Sequence, residues 1–227
     1  MRNNEQLWVS FSQFLTLLTL SPFCHMRIHH LLIDLGGVLY QIDIPRTMAR
    51  YDALRAPDAP PLRYSSTLQQ AWFTRLDQGE IDIDAFAAGL RGEFGLQAEL
   101  ATIRAIWRDL LIGVFPGRVE QVQRLAERYQ LALLSNTSRY HYDHYREACQ
   151  PMFACMQHLF LSFEMGLSKP DTAIYQQALA QAGWSAETTL FLDDSRRNLD
   201  TAAALGLQTA WIETPAHFDR WVEQLLA

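Results

Sequence analysis

Four short polar clusters in this chain each follow an apolar or turn-forming stretch, and together their side-chain types belong to phosphoryl chemistry. The first is Asp34, which closes Leu31-Leu32-Ile33 and leads through Leu35 into Gly36 and Gly37. The others are Ser135-Asn136-Thr137, Ser168-Lys169-Pro170 and Asp193-Asp194-Ser195. A short apolar run bounded by turn residues reads as a buried parallel strand, and the carboxyl ends of such strands converge where ligands bind. Gathered there, the clusters would supply a carboxylate nucleophile, a hydroxyl and an amide, an ammonium and a pair of acids. A phosphate dianion repels Asp34, so attack by that carboxylate needs neutralising charge from Lys169 and a magnesium ion. Magnesium takes oxygen ligands, which Asp34, Asp193 and Asp194 carry. Each cluster alone has a plainer use. Asp34 could cap a turn, Lys169 could be solvated, the acidic pair could cap a helix, and Ser135 could satisfy a strand-end amide. Four clusters in series favour the chemical reading.

The elements that would position them alternate between strand and helix, the pattern of a parallel sheet with crossover helices. Candidate strands are His30 to Asp34, Leu131 to Ser135, His158 to Ser162, Thr189 to Asp193 and Gln208 to Ile212. Candidate helices are Arg118 to Arg128, Arg139 to Ala148, Thr172 to Ala182, Arg196 to Leu205 and Ala216 to Leu226, with Gly183 and Gly206 just past two of them. The interval between the first two strands is longer than a crossover requires. Its segments Ser66 to Asp77, Ile83 to Phe94 and Ala98 to Ile112 have helical spacing. Asp77-Gln78-Gly79-Glu80 reads as a turn, Ala56-Pro57-Asp58-Ala59-Pro60-Pro61 as a rigid loop, and Phe115-Pro116-Gly117 as the return to the core. The expected architecture is an α/β, Rossmann-like parallel sheet of about five strands with flanking helices and an inserted helical cap. Residues 26–44 and 115–227 would form the core and residues 45–114 the cap.

Residues 1–25 contain the apolar run Phe14-Leu15-Thr16-Leu17-Leu18-Thr19-Leu20, too short to span a bilayer. Arg2 is the only basic residue before it and no small-residue cleavage pattern follows, so it reads as an upstream extension, with Met26 opening the domain. The chain has 227 residues and a net charge of −6, with scattered basic residues, which argues against a nucleic-acid partner and for a small-molecule one. Cys24, Cys149 and Cys155 lack the spacing of a disulfide framework or a zinc site. A reducing, cytoplasmic setting without membrane association is the expectation; oligomeric state is not legible.

From about Arg27 onward, the segments DLGGVLYQID, LLSNTSRYH, GLSKPDTAIY and FLDDSRRNLD resemble the haloacid dehalogenase (HAD) superfamily, and within it the branch containing bacterial α-D-glucose-1-phosphate phosphatase. The resemblance implies that Asp34 is the nucleophile forming an aspartyl-phosphate, that Ser135 and Asn136 bind phosphoryl oxygens, and that Lys169 holds nucleophile and phosphoryl together. It implies magnesium on Asp34, Asp194, the Gly36 carbonyl and, directly or through water, Asp193. Gly36 departs from the pattern, because most phosphatases of the superfamily carry there a second Asp as general acid, worth about 10²–10⁴ in rate. A good leaving group such as an anomeric sugar oxygen would depend less on that acid. Asp43 is a conceivable substitute, with turn stabilisation its plainer role. Trp72, Arg75 and Asp77 from the cap, and Tyr40 and Arg46 from the flap, could face the site. His29, His30, His141 and His144 form no metal motif. Two other readings compete with a phosphatase of small phosphorylated metabolites. One is a metal-independent 2-haloacid dehalogenase, disfavoured because its acidic pair would face Asp34 without a cation. The other is a catalytically weak binding or regulatory protein marked by Gly36.

Overall fold

The computed structural model describes residues 28–65 and 70–227, so the readings made of residues 1–25 and of Met26 lie outside the described residues. The chain runs β1 (His30–Ile33), β2 (Tyr40–Ile42), α1 (Ile44–Asp52), α2 (Ala71–Asp77), α3 (Ile83–Glu93), α4 (Leu100–Arg108), β3 (Leu111–Val114), α5 (Arg118–Ala126), β4 (Gln130–Ser135), α6 (Arg139–Phe153), β5 (His158–Leu161), α7 (Ser162–Met165), α8 (Thr172–Ala182), β6 (Thr189–Asp193), α9 (Arg196–Ala204), β7 (Gln208–Trp211) and α10 (Pro215–Leu226).

Five strands form one parallel sheet in the order β5-β4-β1-β6-β7. Both faces are covered, which is why the strands are almost continuously apolar. On one face Leu31, Ile33, Leu131, Leu133 and Leu192 join Val122, Leu125, Tyr145 and Phe218 of the helices. On the other, Leu32, Ala132, Leu134 and Phe191 join Ile174, Tyr175, Ala178 and Ala202. Alternate residues of each strand thus serve opposite layers. β1 lies between β4 and β6, so Asp34 leaves the sheet between Ser135 and Asp193, its N–H bonded to the Leu192 carbonyl at 2.9 Å.

The sheet and flanking helices agree with expectation, and β6 and α8 do so residue for residue. Other boundaries moved. Arg139 to Ala148 was expected as a helix, but α6 runs on to Phe153 through Pro151. Cys149 and Met152 are fully buried there, and that packing outweighs the proline's lost hydrogen bond. Ala98 to Ile112 is not one helix: α4 stops at Arg108, and Leu111–Val114 becomes a strand pairing antiparallel with Tyr40–Ile42. Ser66 to Asp77 is helical only from Ala71 among the described residues. Ile44–Asp52, where no helix was expected, is a helix with Pro45 in its first turn, where a missing N–H costs nothing.

Helices α1–α4 enclose a third cluster, in which Tyr51, Phe73, Phe86, Phe94, Ile103 and Trp107 are buried. This cluster has its own apolar centre, reached from the sheet through the β2–β3 ribbon. His141 on α6 stacks on Trp107 and its Nε2 lies 2.9 Å from the Trp107 carbonyl oxygen. Burial pushes its pKa down to about 4, so the ring is neutral and structural. Among the described residues, no helix is long and apolar enough to cross a membrane.

Candidate active site

The sheet brings Asp34, Lys169, Asp193 and Asp194 together. Lys169 follows β5 in sequence, on the loop before α8, and its Nζ donates to Asp34 Oδ1 at 2.7 Å, Asp193 Oδ2 at 2.7 Å and the Leu134 carbonyl at 2.8 Å. An ammonium has three hydrogens, so all are committed. Lys169 is 3 % exposed and Asp193 fully buried, and such charges persist in an interior only when paired. Burial works against the Lys169 ammonium, but the two carboxylates outweigh it and hold its pKa above the ordinary lysine value.

The acids are unequally satisfied. Asp193 accepts from Lys169, from the Ser195 N–H at 2.7 Å and from Asn198 Nδ2 at 3.0 and 3.2 Å, and is thereby fixed at the start of α9. Asp194 is pushed above the usual carboxylate range by burial first, then by the charges of Asp34 and Asp193. Asp34 is raised too, burial and Asp193 outweighing Lys169. One ligand oxygen from each of Asp34, Asp193 and Asp194 lies within 4.8 Å of the others. Three ionised carboxylates against one ammonium leave two negative charges in a buried space, which a divalent cation that prefers hard oxygen ligands would balance.

Asn136 and Ser135 sit differently from the simplest reading. The Asn136 side chain accepts the Lys169 N–H at 2.8 Å and donates to the Lys169 carbonyl at 2.8 Å, clamping that peptide from both sides. Ser135 is buried at the end of β4. A cavity of about 90 Å³ opens beside Asp34, lined by Gly36, Asn136, Lys169, Asp194, Ser195 and Asn198, with Ile42 of β2, Ile44 of α1 and Tyr64 beyond it, and with Pro170 and Arg197 completing the rim. Ser135 and Asp193 do not line it. Asp43 does not either: it caps α1, accepting the Arg46 N–H at 3.0 Å. Trp72 bonds Glu93, Arg75 pairs with Glu80, and Tyr40 is buried against Tyr145, so none of these faces the cavity. Arg46 bonds the Asp109 carbonyl instead.

Some residues of the site escaped the sequence reading. Asn198 stands one helical turn beyond the acidic pair, a spacing that could have marked it. Arg118, 1 % exposed, donates to the Val38 carbonyl at 3.0 Å and to Asp219 at 2.6 Å, tying the loop after Asp34 to α10. Its partners are remote in sequence, so no local signal announces it.

Fold and site define a Rossmann-like α/β protein whose acids and lysine meet beyond the carboxyl ends of its parallel strands. The chain belongs to the haloacid dehalogenase-like hydrolases, a family that matches residues 28–206. It is similar to the D-ribitol-5-phosphate phosphatase of Bacteroides thetaiotaomicron, at 25 % identity over 206 residues, covering 87 % of this chain and 97 % of that protein. Ribitol 5-phosphate is a different ester from the glucose 1-phosphate of the branch suggested by the motifs. Among solved structures, a HAD family enzyme of Bacteroides thetaiotaomicron in complex with magnesium and inorganic phosphate superposes with a TM-score of 0.71 at 27 % identity, over 80 % of this chain and 92 % of that one. A HAD-like family hydrolase of Porphyromonas gingivalis gives 0.66 at 26 % identity, over 81 % and 90 %.

Proposed function

We propose that the protein is a magnesium-dependent phosphatase of a small phosphorylated metabolite, of sugar or polyol type, working in the cytoplasm through an aspartyl-phosphate on Asp34. The observation that carries this is the Lys169 Nζ bridging Asp34 and Asp193 at 2.7 Å each, with Asp194 alongside. The relative that hydrolyses ribitol 5-phosphate supports the substrate class. Residues 45–114 would serve as the cap, since Ile42 and Ile44 at its base and Tyr64 within it line the cavity.

Asp34, Asp194 and the Gly36 carbonyl would hold magnesium, with Asp193 assisting. Magnesium bound there neutralises negative charge on the acids and on the phosphoryl oxygens. Asp34 attacks phosphorus through the oxygen not held by Lys169; the ester P–O bond breaks and the leaving oxygen takes a proton from solvent, because Gly36 offers none. Water then attacks phosphorus of the aspartyl-phosphate, releasing inorganic phosphate and restoring the carboxylate. Lys169 keeps Asp34 oriented throughout, and Asn136 holds the Lys169 peptide in place. The strand-end pair Ser135-Asn136 would receive the phosphoryl oxygens, Asn136 being the one of the two that lines the cavity.

Hydrolysis of p-nitrophenyl phosphate and a sugar-phosphate panel tests this. Asp34→Asn should reduce turnover by about three orders of magnitude or more, and EDTA should abolish it reversibly. Phosphate release that survives either change would sink the mechanism. An inactive wild type would favour a binding role.

A further inference from the structure

The end of α2 touches the start of α7 and the loop before α8, and both contacts lead on to residues of the site. Asp77 and Gln78 close the helix, and Gly79 follows with a φ of 70°. A Cβ at Gly79 would lie 2.5 Å from the Phe163 carbonyl oxygen, so a glycine is what lets the helix end approach α7 this closely. Two side-chain contacts cross there. The fully buried Ser162 hydroxyl lies 2.6 Å from the Asp77 carbonyl oxygen and 2.9 Å from that of Thr137, and accepts the Thr137 N–H at 2.8 Å. A hydroxyl has one hydrogen, so Asp77 and Thr137 compete for it. The second contact runs from Gln78 Nε2 to Ser168 Oγ at 3.0 Å. Ser168 adjoins Lys169, and Thr137 adjoins Asn136, whose amide clamps the Lys169 peptide. Both contacts therefore lead to that peptide from opposite sides.

We infer that the C-terminal turn of α2 is a docking latch, with Gln78, Ser168 and Ser162 as positioning residues that set Lys169 against Asp34 when the inserted helices are seated. With the turn seated, Ser162 gives its hydrogen to Asp77 while holding Thr137 by the accepted bond, and Ser168 is held by Gln78. Withdrawal of the turn leaves Ser162 to Thr137 alone and removes the donor at Ser168, so the loop carrying Lys169 loosens. This deepens the phosphatase reading, on which the importance of Lys169 rests, but the latch is measurable without turnover.

The test compares wild type with Gln78→Ala, Ser168→Ala, Ser162→Ala and the Gln78→Ala/Ser168→Ala pair. Gln78 is only partly buried, so its variant folds even if Ser162→Ala does not. Amide exchange should quicken about tenfold at Lys169 in Gln78→Ala and Ser168→Ala, and at Thr137 in Ser162→Ala, with β6 unchanged in all of them. With p-nitrophenyl phosphate, kcat should fall about tenfold with KM nearly constant, and the paired variant should be no worse than Gln78→Ala alone. Unchanged exchange at both loops, a rise that extends equally to β6, or additive losses in kcat would each overturn the latch. An inactive wild type whose exchange responds locally as described would uphold the latch and defeat the phosphatase reading instead.

Discussion

Gly36 and Gly37 are neighbours held by different constraints. Gly37 has a φ of 81°, and a Cβ on it would lie 2.6 Å from Asp194 Oδ2. A side chain there is strained by its backbone and also displaces an acid of the site. Gly36 lines the cavity without a positive φ, and its Cβ would meet only the Ile42 side chain, tightly at the Cδ1 methyl (3.3 Å) and in ordinary contact at Cγ2 (3.9 Å). That methyl ends a flexible side chain and can give way. Gly37→Ala should therefore cost about 1–2 kcal/mol from the left-handed backbone alone, lower Tm by about 2–8 °C, and depress activity with it. Gly36→Asp should leave Tm near wild type and raise kcat/KM on a simple alkyl phosphate relative to p-nitrophenyl phosphate by about tenfold or more, because it supplies a leaving-group proton. A ratio unchanged by Gly36→Asp would show that some other group already provides that proton.

At the scale of elements, α2 buries a carboxyl whose ionisation is costly. Asp77 is 2 % exposed, its Oδ2 has no hydrogen-bond partner among the described residues, and burial pushes its carboxyl from 3.8 to about 7. The folded chain thus keeps a proton that the unfolded chain has released. The stabilisation is complete below pH 3.8 and is lost as pH rises to about 7, an effect on the order of 4 kcal/mol. Asp77→Asn should melt higher than wild type at pH 8, with the difference shrinking toward pH 4; equal melts at pH 8 would show that water or motion relieves the charge. None of this is visible in sequence, where Asp77 reads as a turn residue. The same limit explains what else was illegible. β6 and α8 could be read because their signals are local: an apolar run closed by acids, and a helix between Asp171 and Gly183. The β2–β3 ribbon could not, since Tyr40–Ile42 and Leu111–Val114 are short strands whose pairing spans the inserted region. The types and order of Asp34, Lys169, Asp193 and Asp194 were readable. That Asn136 would spend its amide on the Lys169 peptide was not, because it depends on where a distant loop lies.

For the whole molecule, folding itself creates the electrostatic problem that a cation solves. The unfolded chain keeps Asp34 far from Asp193 and Asp194, whereas the folded chain places their ligand oxygens within 4.8 Å. Because burial and like charge raise both Asp34 and Asp194, their ionised forms near neutral pH cost the folded state more than the unfolded one. Magnesium that binds only the folded arrangement should stabilise it by about 2.7 kcal/mol at a hundredfold excess over Kd, a rise in Tm of about 5–11 °C for a domain of this size. Asp34→Asn removes one of the crowded charges and one ligand, so its effects should have opposite signs: a higher Tm than wild type in EDTA, and little or no gain on adding magnesium. Calorimetry in EDTA and in millimolar magnesium reads both without any substrate. A wild-type Tm indifferent to magnesium would mean that Lys169 alone balances the acids, and the metal would lose its place in the site.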